Sequence, residues 1–146
     1  MHTILHALSQ FDAEAIVVSP PDMALKPEFK AEIDAMGTVY RQAPDVREVI
    51  GEADIIYLEP VVQADYTQSR VERSGEVGRT AAEYQVTGEL MRSKAKRSSI
   101  VLHSLPRMDE LLPDVDETRH QRYWVEASNG VSLRMALLAL VLGAAE

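Results

Sequence analysis

The 146-residue sequence contains no cysteine, which excludes disulfides, thiol nucleophiles and thiolate metal sites, and is compatible with a reducing cytoplasm. Basic residues are the minority, 15 against 23 acidic ones, giving a net charge of -8. That balance argues against nucleic acid or an anionic membrane as the general partner. Long apolar runs are missing too. The longest, residues 135–142, falls well short of the ~20 residues a membrane span needs. The first residues lack the charged start and cleavage site of a signal peptide. No glycine-rich phosphate loop of the G-x-G-x-x-G or Walker type is present, so nucleotide binding has no support. Aromatics are few at 5%, while 46% of residues are hydrophobic and 26% charged. These values suit a soluble globular chain, and the length fits one domain over residues 1–146.

What is present reads as an alternation of short apolar runs and helix-like stretches. Residues 3–11 place Ile4, Leu5, Leu8 and Phe11 on one helix face. Residues 15–19 read as a buried strand stopped by Pro20 and Pro21. Pro27 suits the first turn of a helix bearing Phe29, Ile33 and Met36, with Gly37 as its stop. Residues 38–42 are a second strand, and Asp45 caps a short helix carrying Val46, Val49 and Ile50. Residues 53–58 and 99–105 are the third and fourth strands. Near-continuous apolar strands separated by helices predict an α/β, doubly wound and mainly parallel sheet flanked by helices. Ligands of such sheets bind beyond the carboxyl ends of the strands, which directs attention to residues 58–63 and 103–107. At the C-terminus, Ser128 or Asn129 is expected to cap a helix over residues 131–142 that is apolar nearly all round. Such a helix requires a partner domain or subunit to cover it.

Several candidate chemistries are weak on these residues. His103 and Ser104 are adjacent, so on an extended strand they point to opposite faces, and no G-x-S-x-G elbow accompanies them. His2, His6, His103 and His120 are scattered and lack a zinc-site spacing, so no metal is expected. The acids Asp109, Glu110, Asp114, Asp116 and Glu117 read as a solvated connection with caps. Residues 64–98 hold seven of the fifteen basic residues. They either gather an anion over the strand ends or are simply solvated.

Three runs carry a resemblance. HSLPRMDE (103–110), PDVDETRHQRYW (113–124) and EASNGVSLRMALLALVLG (126–143) resemble, in order and spacing, the C-terminal end of aspartate carbamoyltransferases, where the turn reads H-P-L-P-R-x-x-E. The start, MHTILHALSQFD, resembles the helix after that family's G-R-T motif, and ADIIYL one of its strands. The resemblance spans essentially the whole chain. It implies the aspartate-binding domain of an enzyme that joins carbamoyl phosphate to the amine of aspartate in pyrimidine biosynthesis, with no cofactor, metal or covalent intermediate. Carbamoyl phosphate would be held by a separate N-terminal domain. By motif, Ser104 and Leu105 would offer backbone carbonyls to the attacking amine and Pro106 would fix the turn. Arg107 favours the aspartate branch over ornithine enzymes, which carry a cysteine in this turn. Glu110 would orient a substrate-binding arginine, and Gln63 would contact aspartate.

Two departures modify what the resemblance implies. The family's T-R-V-Q motif has no clean counterpart after residues 55–58. Arg70, in Ser69-Arg70-Val71-Glu72, is preferred as its arginine, because the alternative register puts Glu59 and Pro60 there. The family chain is also roughly twice as long, as two ordinary domains require. The carbamoyl phosphate domain and the first, central strand of the present domain have no counterpart in the sequence. The flanking strands would then pair directly or accept a strand from another chain. The expectation is an amino-acid-binding half inactive alone, in a homo-oligomer or with a partner domain. A non-catalytic binding or oligomerisation module, or a truncated paralogue with another acceptor, is the alternative.

Overall fold

A computed structural model describes residues 2–60 and 80–144. The elements alternate as expected. Helix α1 (His2–Leu8) leads to β1 (Glu14–Val18), then α2 (Pro27–Ala35), β2 (Val39–Ala43), α3 (Val46–Val49) and β3 (Ile55–Leu58). After residues 61–79 come α4 (Gly88–Lys94), β4 (Ile100–His103) and α5 (Tyr123–Val141). Short 3-10 turns lie at Pro21–Met23, Ala82–Tyr84 and Pro113–Glu117. None of the described helices is long and apolar enough to cross a membrane.

All the named strand pairs are parallel, as the apolar patterning predicts. β1 pairs with β2, Glu14 opposite Val39 through Val18 opposite Ala43, and β3 pairs with β4, Ile55 opposite Ile100 through Leu58 opposite His103. The two pairs are separate sheets, so among the described residues β1 is not hydrogen-bonded to β3. Among the described residues, then, the direct pairing offered as one expectation is not seen. β4 gains further support on its other side, where Val101 N–H donates to His120 O at 2.7 Å and Arg122 N–H to Val101 O at 3.0 Å.

Each pair has its own core. Leu5, Val17, Phe29 and Ile33 form one cluster; Ile50, Ile56, Val86, Met91, Val101, Leu111, Val115 and Tyr123 form the other. Phe29 and Ile33 meet because they are four apart on α2, whose first residue is Pro27, a position where the missing N–H costs nothing. Gly37 ends that helix with φ +74°. Its N–H donates to Asp34 O at 3.0 Å and Thr38 N–H to Ile33 O at 3.2 Å, the paired closure that a left-handed residue permits. Gly88 meets a tighter demand: a Cβ there would lie 2.6 Å from Asp114 O, so α4 can approach the 113–117 turn only through glycine.

Three expectations need correction. Phe11 is exposed and outside α1, which stops at Leu8. The fourth strand ends at His103, because Leu105 turns the backbone to φ +51°. α5 begins at Tyr123, so Ser128 and Asn129 lie inside it and cap nothing. Tyr123 is fully buried and sits directly after the backbone bonds to β4, and that tertiary anchor fixes the start of the helix in place of a capping side chain.

Candidate functional site

The residues that leave β4 build a compact turn. Ser104 N–H donates to Leu58 O at 3.2 Å, which brings the carboxyl ends of β3 and β4 together. Leu105 N–H donates to His103 Nδ1 at 2.7 Å, and the Leu105–Pro106 peptide is cis. Among the described residues the carbonyls of Ser104 and Leu105 accept no hydrogen bond. This is the place in a parallel α/β fold where a ligand is expected.

Behind the turn lies a buried acid. Glu110 and His103 are enclosed, and His103 Nε2 stands 2.7 Å from Glu110 Oε1. The same oxygen accepts Met108 N–H at 2.8 Å, while Glu110 Oε2 has no partner among the described residues. Burial pushes the Glu110 carboxyl up, but hydrogen bonds from His103 and the Met108 amide outweigh it and hold it below the usual glutamate value. The backbone of Glu110 is fixed as well, since Val86 N–H donates to its carbonyl at 2.8 Å and Leu112 N–H to Val86 O at 3.0 Å.

Arg107 leaves the turn in the other direction. Its two terminal nitrogens donate to Asp116 Oδ1 and Oδ2 at 2.6 and 2.8 Å, a bidentate pair, and Tyr123 O–H donates to Asp116 Oδ1. The guanidinium also lies over the Tyr123 and Trp124 rings, 5.8 and 5.6 Å from their centroids. Donation from Arg107 holds Asp116 below the usual aspartate value against the effect of burial, while burial and Asp116 together raise Tyr123. Arg107 therefore ties the turn to the start of α5.

Ser104, Leu105, Pro106, Arg107 and Glu110 are thus gathered at one strand end. Gln63 and Arg70 lie outside the described residues. The acidic run is not the solvated connection expected of it. Asp116 and Glu110 are engaged as above, and Asp109 accepts Thr80 N–H at 2.8 Å and Thr80 Oγ1–H at 2.6 Å. Sequence reasoning also missed Glu126, whose Oε2 accepts His103 N–H at 2.9 Å. An acid in the first turn of a helix is the only local signal, and it says nothing of a partner 23 residues away. Among the described residues no group of His, Asp or Glu is arranged to hold a metal ion.

Parallel strands alternating with helices, with a compact turn beyond the β4 end, define the class as a parallel α/β domain. The family is specified by comparison: residues 1–141 match the model of the aspartate/ornithine carbamoyltransferase Asp/Orn binding domain, and the chain belongs to that family. It is similar to the aspartate carbamoyltransferase catalytic subunit of Hyperthermus butylicus, 38% identical over 87% of this chain and 39% of that one. It is also similar to that of Halorubrum lacusprofundi, 36% identical over 100% of this chain and 45% of that one. The chain thus spans less than half the length of these curated relatives. Among solved structures, aspartate transcarbamoylase from Trypanosoma cruzi in complex with aspartate and phosphate is similar at 26% identity. It has a TM-score of 0.71 and covers 94% of this chain and 41% of that one. The catalytic subunit of the M. jannaschii enzyme shares the fold, with a TM-score of 0.77 at 23% identity over 99% of this chain and 46% of that one.

Proposed function

We propose that this chain is the amino-acid-binding half of a carbamoyltransferase that uses aspartate in pyrimidine biosynthesis, and that it requires a carbamoyl phosphate domain to act. The observation that carries the reading is the turn after β4, where Leu105 is held left-handed by His103 and two carbonyls have no partner among the described residues. A backbone carbonyl is a neutral acceptor, suited to an amine that must keep its lone pair for attack. The Ser104 and Leu105 carbonyls take N–H groups of the amine and of the carbamoyl group. The amine nitrogen forms a bond to the carbamoyl carbon, the carbon–oxygen bond to phosphate breaks, and the amine proton leaves with phosphate. Positioning two anionic substrates supplies much of the rate. Glu110 Oε2, buried and without a described partner, suits a guanidinium donor, the role assigned to Arg70, with Gln63 also contacting aspartate. Arg107 steadies the turn through Asp116.

Mixing the purified chain with a separately expressed carbamoyl phosphate domain and both substrates tests this. Carbamoyl-aspartate is expected from the mixture and not from the chain alone. Robust product from the chain alone overturns the need for a second half, and an active mixture that ignores aspartate but carbamoylates another amine overturns the acceptor. The exposed apolar side chains of α5 favour a second reading, a non-catalytic binding or oligomerisation module in a homo-oligomer. Failure of the mixture to bind aspartate by calorimetry selects it.

A further inference from the structure

His103 is enclosed yet makes three directional bonds, one on each ring nitrogen and one from its backbone. Leu105 N–H points at Nδ1 from 2.7 Å, Nε2 faces Glu110 Oε1 at 2.7 Å, and His103 N–H reaches Glu126 Oε2 at 2.9 Å. An N–H can donate only to a bare nitrogen, so Nδ1 carries no proton. The ring proton is therefore on Nε2, donated to a carboxylate that Met108 N–H also fixes at 2.8 Å. The other tautomer would turn two N–H groups against each other at Leu105.

The bond at Nδ1 acts on the geometry of the turn. A trans peptide is planar, so aiming Leu105 N–H at the ring aims the Ser104 carbonyl the opposite way, away from His103. Leu105 then continues at φ +51°, a region a leucine rarely occupies without an external hold. We propose that His103, in the Nε2–H tautomer selected by Glu110, is a positioning residue that sets the direction of the Ser104 and Leu105 carbonyls toward the substrate amine. This rests on the reading under Proposed function for the identity of the ligand, but the geometric part does not. The acid here serves the ring through one oxygen and leaves the other for a second donor, so a single buried carboxylate couples the turn to whatever group binds Oε2.

Two variants separate the positioning bond from mere filling of space. Asparagine at 103 can place an amide oxygen near the site of Nδ1, whereas glutamine reaches toward Glu110 and offers Leu105 nothing. Nitrogen-15 spectra of the labelled chain at neutral pH are expected to show His103 with a bare Nδ1 and a protonated Nε2. The Leu105 amide proton should be shifted downfield and slow to exchange, a signature lost in H103Q and kept in H103N. A ring protonated on Nδ1, or a Leu105 amide indifferent to H103Q, overturns the proposal whatever the activity. In the active two-part mixture, H103Q should lower kcat by about a hundredfold with KM for aspartate changed far less, the scale of a misplaced reacting group. H103N should recover most of that loss. Equal kcat in wild type and H103Q overturns the role toward substrate. An inactive wild-type mixture instead overturns the reading under Proposed function, and with it that role, and leaves the spectra to decide the geometry.

Discussion

Asp116 gathers two donors from Arg107 and one from Tyr123, and its side chain stays about a third exposed, at 35%. Its carboxyl is depressed below the ordinary value near 4, chiefly by Arg107. A depressed carboxylate contributes stability above its unfolded pKa and loses it as pH falls through the lower folded one. D116N should therefore cost about 1 kcal/mol at pH 7, discounted for solvent screening, and close to nothing once pH falls well below about 4. Trp124, the sole tryptophan, lies against Arg107 and reports the transition in urea titrations at both pH values. An equal cost at pH 7 and at pH 3 would show that the charge is not what matters. These partners were only half legible in the sequence. The motif placed Ser104, Leu105, Pro106 and Glu110 at one strand end, because a conformational signature such as Leu-Pro after an apolar run is local. The tautomer of His103 and the Asp116 clamp depend on how side chains meet across a folded turn, seven and nine residues apart, and the Thr80 anchor on Asp109 spans 29. No spacing rule encodes those.

At the scale of the element, α5 is the clearest departure from self-sufficiency. Its first turn is anchored by buried Tyr123, but Val131, Leu133, Met135, Leu137, Leu138, Leu140 and Val141 are all more than half exposed. Apolar patterning made the need for cover legible, since a helix apolar on every side has no solvent face. Where it begins was not legible, because Ser128 and Asn129 offer a capping signal that the backbone bonds of His120 and Arg122 to β4 override. Patches of this kind mark interfaces. Leu133 and Leu140 are seven apart and share a face, and burying the exposed part of each contributes about 1 kcal/mol or a little more. The isolated chain should self-associate, and L133K/L140K, which removes both leucines from each of two meeting copies, should weaken that association by roughly a thousandfold. Sedimentation velocity over a concentration series measures it, with circular dichroism confirming that helix content is kept. Identical sedimentation of the two proteins would mean that this face is not where copies meet.

At the scale of the whole molecule, the described residues form two parallel strand pairs and two apolar clusters in place of one sheet over one core. The links between them are slight. Helix α3 touches β2, and Arg41 reaches across to Glu52 as well as to Glu14 of its own sheet. Exposed ion pairs such as these add little. The cluster around β1 and β2 has four buried apolar residues, Leu5, Val17, Phe29 and Ile33, against eight around β3 and β4. Each such side chain contributes about 1.5–3 kcal/mol on burial, so the smaller cluster has much less to set against the entropy of ordering its chain. The two should therefore open separately. Native-state hydrogen exchange is expected to find the β1–β2 ladder opening at a free energy at least about 2 kcal/mol below that of the β3–β4 ladder, in a subglobal step rather than with it. Among the described residues nothing pairs with the outer edges of β1 and β3, and this supplies the reason the step exists, since backbone hydrogen bonds across one continuous sheet would tie the two ladders into one cooperative unit. A strand supplied to those edges should abolish the difference. Equal opening free energies in the chain by itself would show instead that α3 and the contacts across it already couple the halves, and that no strand is needed to make them one body.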